Sequence, residues 1–257
     1  MLPQFDEART ILPVIDPIPN IGRYEDALAE LAPSGSLDAH LLRTLRGVEG
    51  TLLVLDASFN PPTIAHWSLI ERGCQALVTQ HAALVLSSTN VDKKVFGAPL
   101  PQRLAMMDDL AATRPSTAVA ICRYARFVDK ATALSPLFPN TRLVFAIGYD
   151  TLIRLFDEKY YTQMNRELEQ LFDAAGFIVA NRDTDDLSQT EAYLDDPTRR
   201  PFRDAIDTLS FPPRLASISS SEIRQRALRD ERINDLVPAP VATFIQRHGL
   251  YSNENPR

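Results

Sequence analysis

Four short apolar runs, separated by stretches with helical spacing, constrain this chain more than any other feature. They are Thr51–Asp56 (TLLVLD), Ala82–Ser87 (AALVLS), Arg142–Ile147 (RLVFAI) and Phe177–Ala180 (FIVA). Each is continuous rather than alternating, the pattern of a strand buried on both faces. Ala118–Cys122 adds a further strand. Helices are predicted over about Ile64–Leu77, Gln102–Thr113, Thr151–Phe156 and Met164–Ala174, with one around Leu134 that ends near Pro139. Strands alternating with helices in this way imply an α/β fold, a doubly wound parallel sheet covered on both faces. Ligands of such sheets bind at the C-terminal ends of the strands, near the switch in strand order. Attention therefore falls on the residues from Asp56, Ser87 and Gly148 onward.

The flanks read differently. Met1–Gly22 carries Pro3, Pro13, Pro17 and Pro19 and predicts an extended arm. Arg23–Gly50 reads as helical, with Leu28 and Leu31 on one face and Leu41, Leu42 and Leu45 on another. Residues 1–50 are thus expected to form an N-terminal helical extension, and residues 51–257 the main domain. Residues 181–213, polar and first acidic, then basic, predict an exposed insertion. A short strand is expected from Arg214, then helices from Ser220 and over about Val241–His248.

Charge narrows the ligand. With 27 basic against 33 acidic residues the net charge is −6. Binding to a nucleic-acid backbone rests on surplus Lys and Arg, so DNA and RNA are not expected partners. A small phosphorylated ligand held by a few local cations remains compatible. No apolar run reaches membrane-spanning length, and the N-terminus lacks the basic start and apolar stretch of a secretory signal. The expectation is a soluble intracellular protein, cytoplasmic or nuclear. Cys74 and Cys122 read as buried thiols, and the four histidines are too scattered to form a metal site.

Four motifs could carry chemistry. Ser58–His66 (SFNPPTIAH) directly follows the first core strand. Pro61 and Pro62 stiffen the turn, Thr63 falls at a helix cap, and His66 falls on the same side of the first turn. A helix N-terminus suits an anion, although a proline turn, a threonine cap and a packed histidine would leave the same trace. Ile218–Arg224 (ISSSEIR) sets Ser219, Ser220 and Ser221 at a helix start with Arg224 one turn on. It reads as a second anion site, or simply as a Ser219/Glu222 capping box. Gly148-Tyr149-Asp150 offers close backbone approach and a carboxylate for ribose, although Asp150 would also serve as a helix cap. Lys93 or Lys94, after the second strand, could reach a triphosphate or be surface charge.

Taken together, these residues resemble the nicotinamide/nicotinate mononucleotide adenylyltransferases, and most closely a fungal branch. That superfamily is marked by a T/H-x-x-H motif, here Ser58–His66, and an ISSTxxR motif, here Ile218–Arg224. The similarity runs from about Thr51 to Tyr251, through Ser88–Lys94, Gln102-Arg103, Ile147–Asp150 and Ile245–Tyr251. Ala57 stands where a glycine is usual, and Ser221 where threonine is common.

The resemblance implies a Rossmann-like nucleotidyltransferase fold and an adenylyl transfer. The 5′-phosphate of nicotinamide or nicotinate mononucleotide would attack the α-phosphorus of ATP, and pyrophosphate would leave. That phosphate is already a dianion, so positioning and charge stabilisation would suffice without a general base. His66 would support the α-phosphate and Arg224 the departing pyrophosphate. Ser58, Phe59, Thr63, Lys93, Lys94, Ser219 and Ser220 would hold phosphates, with Gly148 and Asp150 at a ribose. Mg2+ would accompany ATP and need few protein ligands. Tyr149, Tyr160, Tyr161 or Phe127 would supply the stacking ring. A homo-oligomer is compatible with all of this. Two rivals stand beside it: another phosphorylated acceptor on the same fold, and a nucleotide-binding regulator with little turnover.

Overall fold

The computed structural model describes residues 18, 20–31, 37–89, 97–181 and 186–252. Seven strands form one sheet: β1 (Ala39–Arg43), β2 (Gly50–Asp56), β3 (Ala82–Ser87), β4 (Thr117–Cys122), β5 (Thr141–Gly148), β6 (Ala175–Asn181) and β7 (Ile206–Ser210). Their order is β1-β4-β3-β2-β5-β6-β7, and every pair is parallel except β1 with β4. From β2 the chain winds outward through β3 and β4. It then returns to the other side of β2 for β5 and continues through β6 to β7. The switch point therefore lies between the C-terminal ends of β2 and β5, where ligands of such sheets bind.

The period of two along each strand divides the core. Leu53 and Leu55 pack on one face, with the helices Ile21–Glu30, Ile64–Ala76, Leu100–Ala112 and Ala239–Arg247. Leu52 and Val54 pack on the other, with Phe127–Leu134, Tyr149–Leu155 and Met164–Ala174. Both faces of β2 are covered, which is why its sequence reads as one apolar run.

Three expectations need correction. The segment with Leu41, Leu42 and Leu45 is not a helix. Ala39–Arg43 is the edge strand β1, paired antiparallel with β4 (Ala39 opposite Cys122). Adjacent Leu41 and Leu42 pack against opposite core clusters, the alternation of a strand, which a five-residue element is too short to reveal. Residues 181–213 are not merely an exposed insertion. They include the helix Asp186–Leu194, with Leu194 buried, and the edge strand β7. The last strand thus precedes Arg214, which lies in the short helix Pro213–Ala216.

The extended arm expected over Met1–Gly22 lies largely outside the described residues, while the helix Ile21–Glu30 and β1 are tied to the rest through Asp108. Its Oδ2 accepts from Arg23 at 2.8 Å and from the Tyr24 hydroxyl at 3.0 Å, and its Oδ1 accepts from Arg43 Nε at 2.6 Å. Helix, edge strand and Leu100–Ala112 converge on one carboxylate.

Candidate active site

The loop after β2 passes through Phe59 at φ 43 and a cis Asn60–Pro61 peptide. A non-glycine residue at positive φ is uncommon and must be held by its surroundings. The Phe59 ring is fully buried and lies 5.1 Å from the His66 ring, so this residue can offer a ligand only its backbone. Asn60 is clamped from three directions. Its Oδ1 accepts from Ala98 N at 3.1 Å and from the Tyr251 hydroxyl at 2.9 Å, and its carbonyl accepts from Arg224 Nη1 at 2.6 Å. Ser220 Oγ donates to the Pro61 carbonyl at 2.8 Å. Buried Arg103 donates to the Ala98 carbonyl at 2.7 Å and to the Ser58 carbonyl at 3.4 Å. Burial lowers its pKa to about 10, still well above neutrality. Residues from both sequence motifs and from the C-terminus therefore fix one loop.

His66 closes a capping box in place of the usual Glu or Gln. Its Nδ1 accepts from Thr63 N at 3.0 Å, while Thr63 Oγ1 accepts from His66 N at 3.2 Å. With Nδ1 used as an acceptor, the neutral ring carries its proton on Nε2. Burial holds the imidazole neutral and lowers its pKa to about 4. At neutral pH His66 is thus a hydrogen-bond donor through Nε2.

This box alters the expected phosphate cradle. Thr63 is 1% exposed and its hydroxyl caps the helix, so it orients His66 rather than facing a ligand. Ile64 N donates to the Leu236 carbonyl at 3.0 Å and His66 N to Thr63, so two of the first three helix amides are already paired.

A cavity of about 390 Å³ opens at the switch point. Its wall includes Asp56 and Ala57 from the end of β2, Gly148 from the end of β5, His66, and the rings of Phe127, Tyr160 and Tyr161. A Cβ built on Gly148 would meet no protein atom within 4 Å, so the space above it is open to a ligand. Asp150 is exposed in the first turn of Tyr149–Leu155, whose N-cap is Gly148, and it is not in this wall. Tyr149 is not in it either. A smaller cavity of about 240 Å³ adjoins, lined by Ser58, Ser87 and Thr89, and shares Asp56, Ala57, Ala125 and Lys130 with the first.

The sequence of this strand–loop–helix matches a known family. The profile of the cytidylyltransferase-like family covers residues 54–226, from within β2 through the second motif. The chain belongs to the cytidylyltransferase-like family. Among its relatives is a Schizosaccharomyces pombe protein provisionally named a nicotinamide mononucleotide adenylyltransferase. The two are 36% identical over 159 residues, 59% of this chain and 61% of the relative. The chain thus spans under two thirds of that relative's length. A Neisseria gonorrhoeae protein provisionally named a nicotinate-nucleotide adenylyltransferase is 30% identical over 165 residues, 62% of this chain and 77% of the relative. The same fold occurs in Plasmodium falciparum nicotinic acid mononucleotide adenylyltransferase, solved with NaAD. Its TM-score is 0.57 at 18% identity, over 79% of this chain and 98% of that one.

Within this cytidylyltransferase-like site, the second motif sits against the first. Ser219 caps Ser220–Leu228, accepting from Glu222 N at 3.1 Å. Ser220 and Arg224 reach the proline loop, and Arg224 Nη2 also donates to Ser221 Oγ at 3.2 Å. Arg226 pairs with Glu222 and Arg229 with Glu231, as surface charges do. Lys93 and Lys94 lie outside the described residues. Among the described residues, no group of three or more His, Cys, Asp or Glu could hold a metal ion.

Two features escaped sequence reasoning. Lys130 forms a buried ion pair with Asp56, whose Oδ1 accepts from Ser87 Oγ at 3.0 Å. Arg126 holds Asp129 at 2.8 Å, Glu167 at 2.7 Å and the Tyr160 carbonyl at 3.2 Å. Glu167 also accepts from the Thr162 and Gln163 amides, and these bonds hold its carboxyl below the usual range. The segment carrying Tyr160 and Tyr161 is thereby tied to the start of Phe127–Leu134. Such partners are separated in sequence and leave no local signature.

Proposed function

We propose that this chain transfers the adenylyl group of ATP to the 5′-phosphate of nicotinamide or nicotinate mononucleotide, releasing pyrophosphate. The observation that carries this reading is the cavity of about 390 Å³ at the switch point, with the His66 donor and an aromatic wall of Phe127, Tyr160 and Tyr161. That volume suits a small ligand. An aromatic wall suits a pyridine ring. The activities in the relatives' names support the same assignment.

The residues take these roles. His66 Nε2–H donates to the α-phosphate and strengthens that bond as charge develops in the transition state. His66 does not act as a base, because burial leaves it a weak one and the acceptor phosphate is already ionised. Ser58 and the backbone of Phe59 meet phosphate oxygens, and Thr63 holds the imidazole. Ser219, Ser220 and Arg224 receive the β- and γ-phosphates, with Lys93 or Lys94 assisting. Gly148 allows a ribose to lie close to the backbone, and Asp150, exposed outside that wall, takes its hydroxyls. Tyr160 and Tyr161, rather than Tyr149, flank the acceptor ring.

The test is direct. Purified protein is incubated with ATP, magnesium and either mononucleotide, and the dinucleotide is followed by chromatography. Product from wild type, and little from His66→Ala, is the expected result. ATP binding without product from either acceptor would overturn the assignment.

A further inference from the structure

Lys130 is a charged side chain that the fold gains little by burying. The residue is 4% exposed, yet it sits in the middle of the helix Phe127–Leu134 and meets Asp56 at the end of β2. Burying an ion pair removes two charges from water, and apolar residues of similar volume commonly serve stability as well or better. A pair retained at the switch point of the sheet, on the walls of both cavities, therefore calls for a use.

The hydrogen-bond inventory indicates that use. An ammonium has three N–H donors. One goes to Asp56 Oδ2, the Phe127 ring centroid lies 5.2 Å from the ammonium, and no second hydrogen-bond acceptor is found among the described residues. Asp56 is complete by comparison: Lys130 donates to Oδ2 and Ser87 to Oδ1. The other cations on the larger cavity fit less well. Arg126 is engaged by Asp129, Glu167 and the Tyr160 carbonyl, and Arg154 lies exposed at the rim. Among the cations on the wall of the larger cavity, Lys130 is the buried one with hydrogen-bond donors still unused.

We infer that Lys130 binds the monophosphate of the acceptor nucleotide, and that Asp56 is the positioning residue that keeps its ammonium aimed. This rests on the function proposed above. The pair is neutral overall, so its contribution to an incoming phosphate is directional: two N–H groups on a buried side chain. Those donors would hold the attacking phosphate beside the α-phosphate carried by His66, converting encounter into alignment.

The experiment compares two ligands that differ only in the phosphate, nicotinamide mononucleotide and nicotinamide riboside. Calorimetry on wild type, Lys130→Met, Asp56→Asn and the Asp56→Asn/Lys130→Met double variant gives the affinity ratio of the two ligands in each. Turnover with ATP gives kcat and the KM of each substrate. The expected result is that Lys130→Met lowers the mononucleotide-to-riboside ratio by about 10- to 100-fold, as for a lost charge-assisted hydrogen bond. Riboside affinity and the KM for ATP should be unchanged. The double variant carries no unpaired buried charge, so it keeps the comparison valid if Lys130→Met alone fails to fold. It should remain as deficient as Lys130→Met. An unchanged ratio, or normal acceptor KM and kcat in the double variant, would reduce Lys130 to a structural partner of Asp56 and overturn the inference. A wild-type protein that neither binds the mononucleotide nor consumes it would instead overturn the proposed function itself.

Discussion

A single imidazole shows how the capping of a helix sets the chemistry of the proposed site. Thr63 N fixes the tautomer of His66, and burial lowers its pKa to about 4. In the proposed role, His66→Ala removes a donor to the developing charge and should lower kcat about 100-fold or more. A steady-state assay at saturating ATP tests this, and near-normal turnover would exclude the role. The same residue should shape stability against pH. In the unfolded chain the imidazole titrates near ~6.5. Between that value and about 4 the unfolded state binds a proton that the folded state does not, so stability falls with pH. The contribution is complete above ~6.5 and is lost as pH falls through the folded value. Urea midpoints at two pH values, one above and one inside this window, should drop further for wild type than for His66→Gln. Equal drops would mean that the ring is not held neutral. At Gly148 the argument is reversed. A Cβ there meets no protein atom, so Gly148→Ala should leave the melting temperature unchanged while raising a substrate KM.

The elements around the proline loop form a clamp whose parts come from distant places in the chain. Gly97 has φ +115, and a Cβ there would lie 2.6 Å from the Asn60 amide. Gly97→Ala should therefore cost about 1–3 kcal/mol of stability through strain. It should also lower turnover, because Asn60 must move and the loop with it. Loss of activity well below the melting temperature separates loop displacement from unfolding. Much of this level was legible in the sequence. β2, β3 and β5 read as continuous apolar runs because both their faces are covered, and Ser58–His66 fell where the switch point required. What was not legible depended on partners. Ala39–Arg43 is a strand because β4 offers it an edge, and nothing in five residues outweighs the helical spacing of Leu41, Leu42 and Leu45. β7 lies on an edge, with Ile206 buried and its other four positions half-buried or exposed, and so lacks an apolar run. The Asp56–Lys130 pair joins residues 74 apart, one of them within an ordinary helix. Thr63 read correctly as a cap, but its reciprocal bond to His66 Nδ1 could not be told from a histidine facing a ligand.

For the molecule as a whole, the described elements before residue 51 are bound into the sheet rather than appended to it. Ile21–Glu30 and β1 both converge on Asp108, which is 8% exposed, while Arg23 and Arg43 have side chains 42% and 34% exposed. Solvent screens such half-exposed partners, so the network is worth less than a fully buried one. Asp108→Ala should still cost about 2 kcal/mol, because two guanidinium groups and the Tyr24 hydroxyl lose their acceptor together. For a chain of this size that corresponds to a fall in melting temperature of roughly 4–8 °C. The wall of the larger cavity includes no residue from Ile21–Glu30 or β1. Turnover at 25 °C should therefore stay near the wild-type value while thermal resistance drops. If turnover instead fell in step with stability, the edge strand and its helix would be acting on the site through β4 and β3. The N-terminal part would then belong to the catalytic machinery rather than to its support.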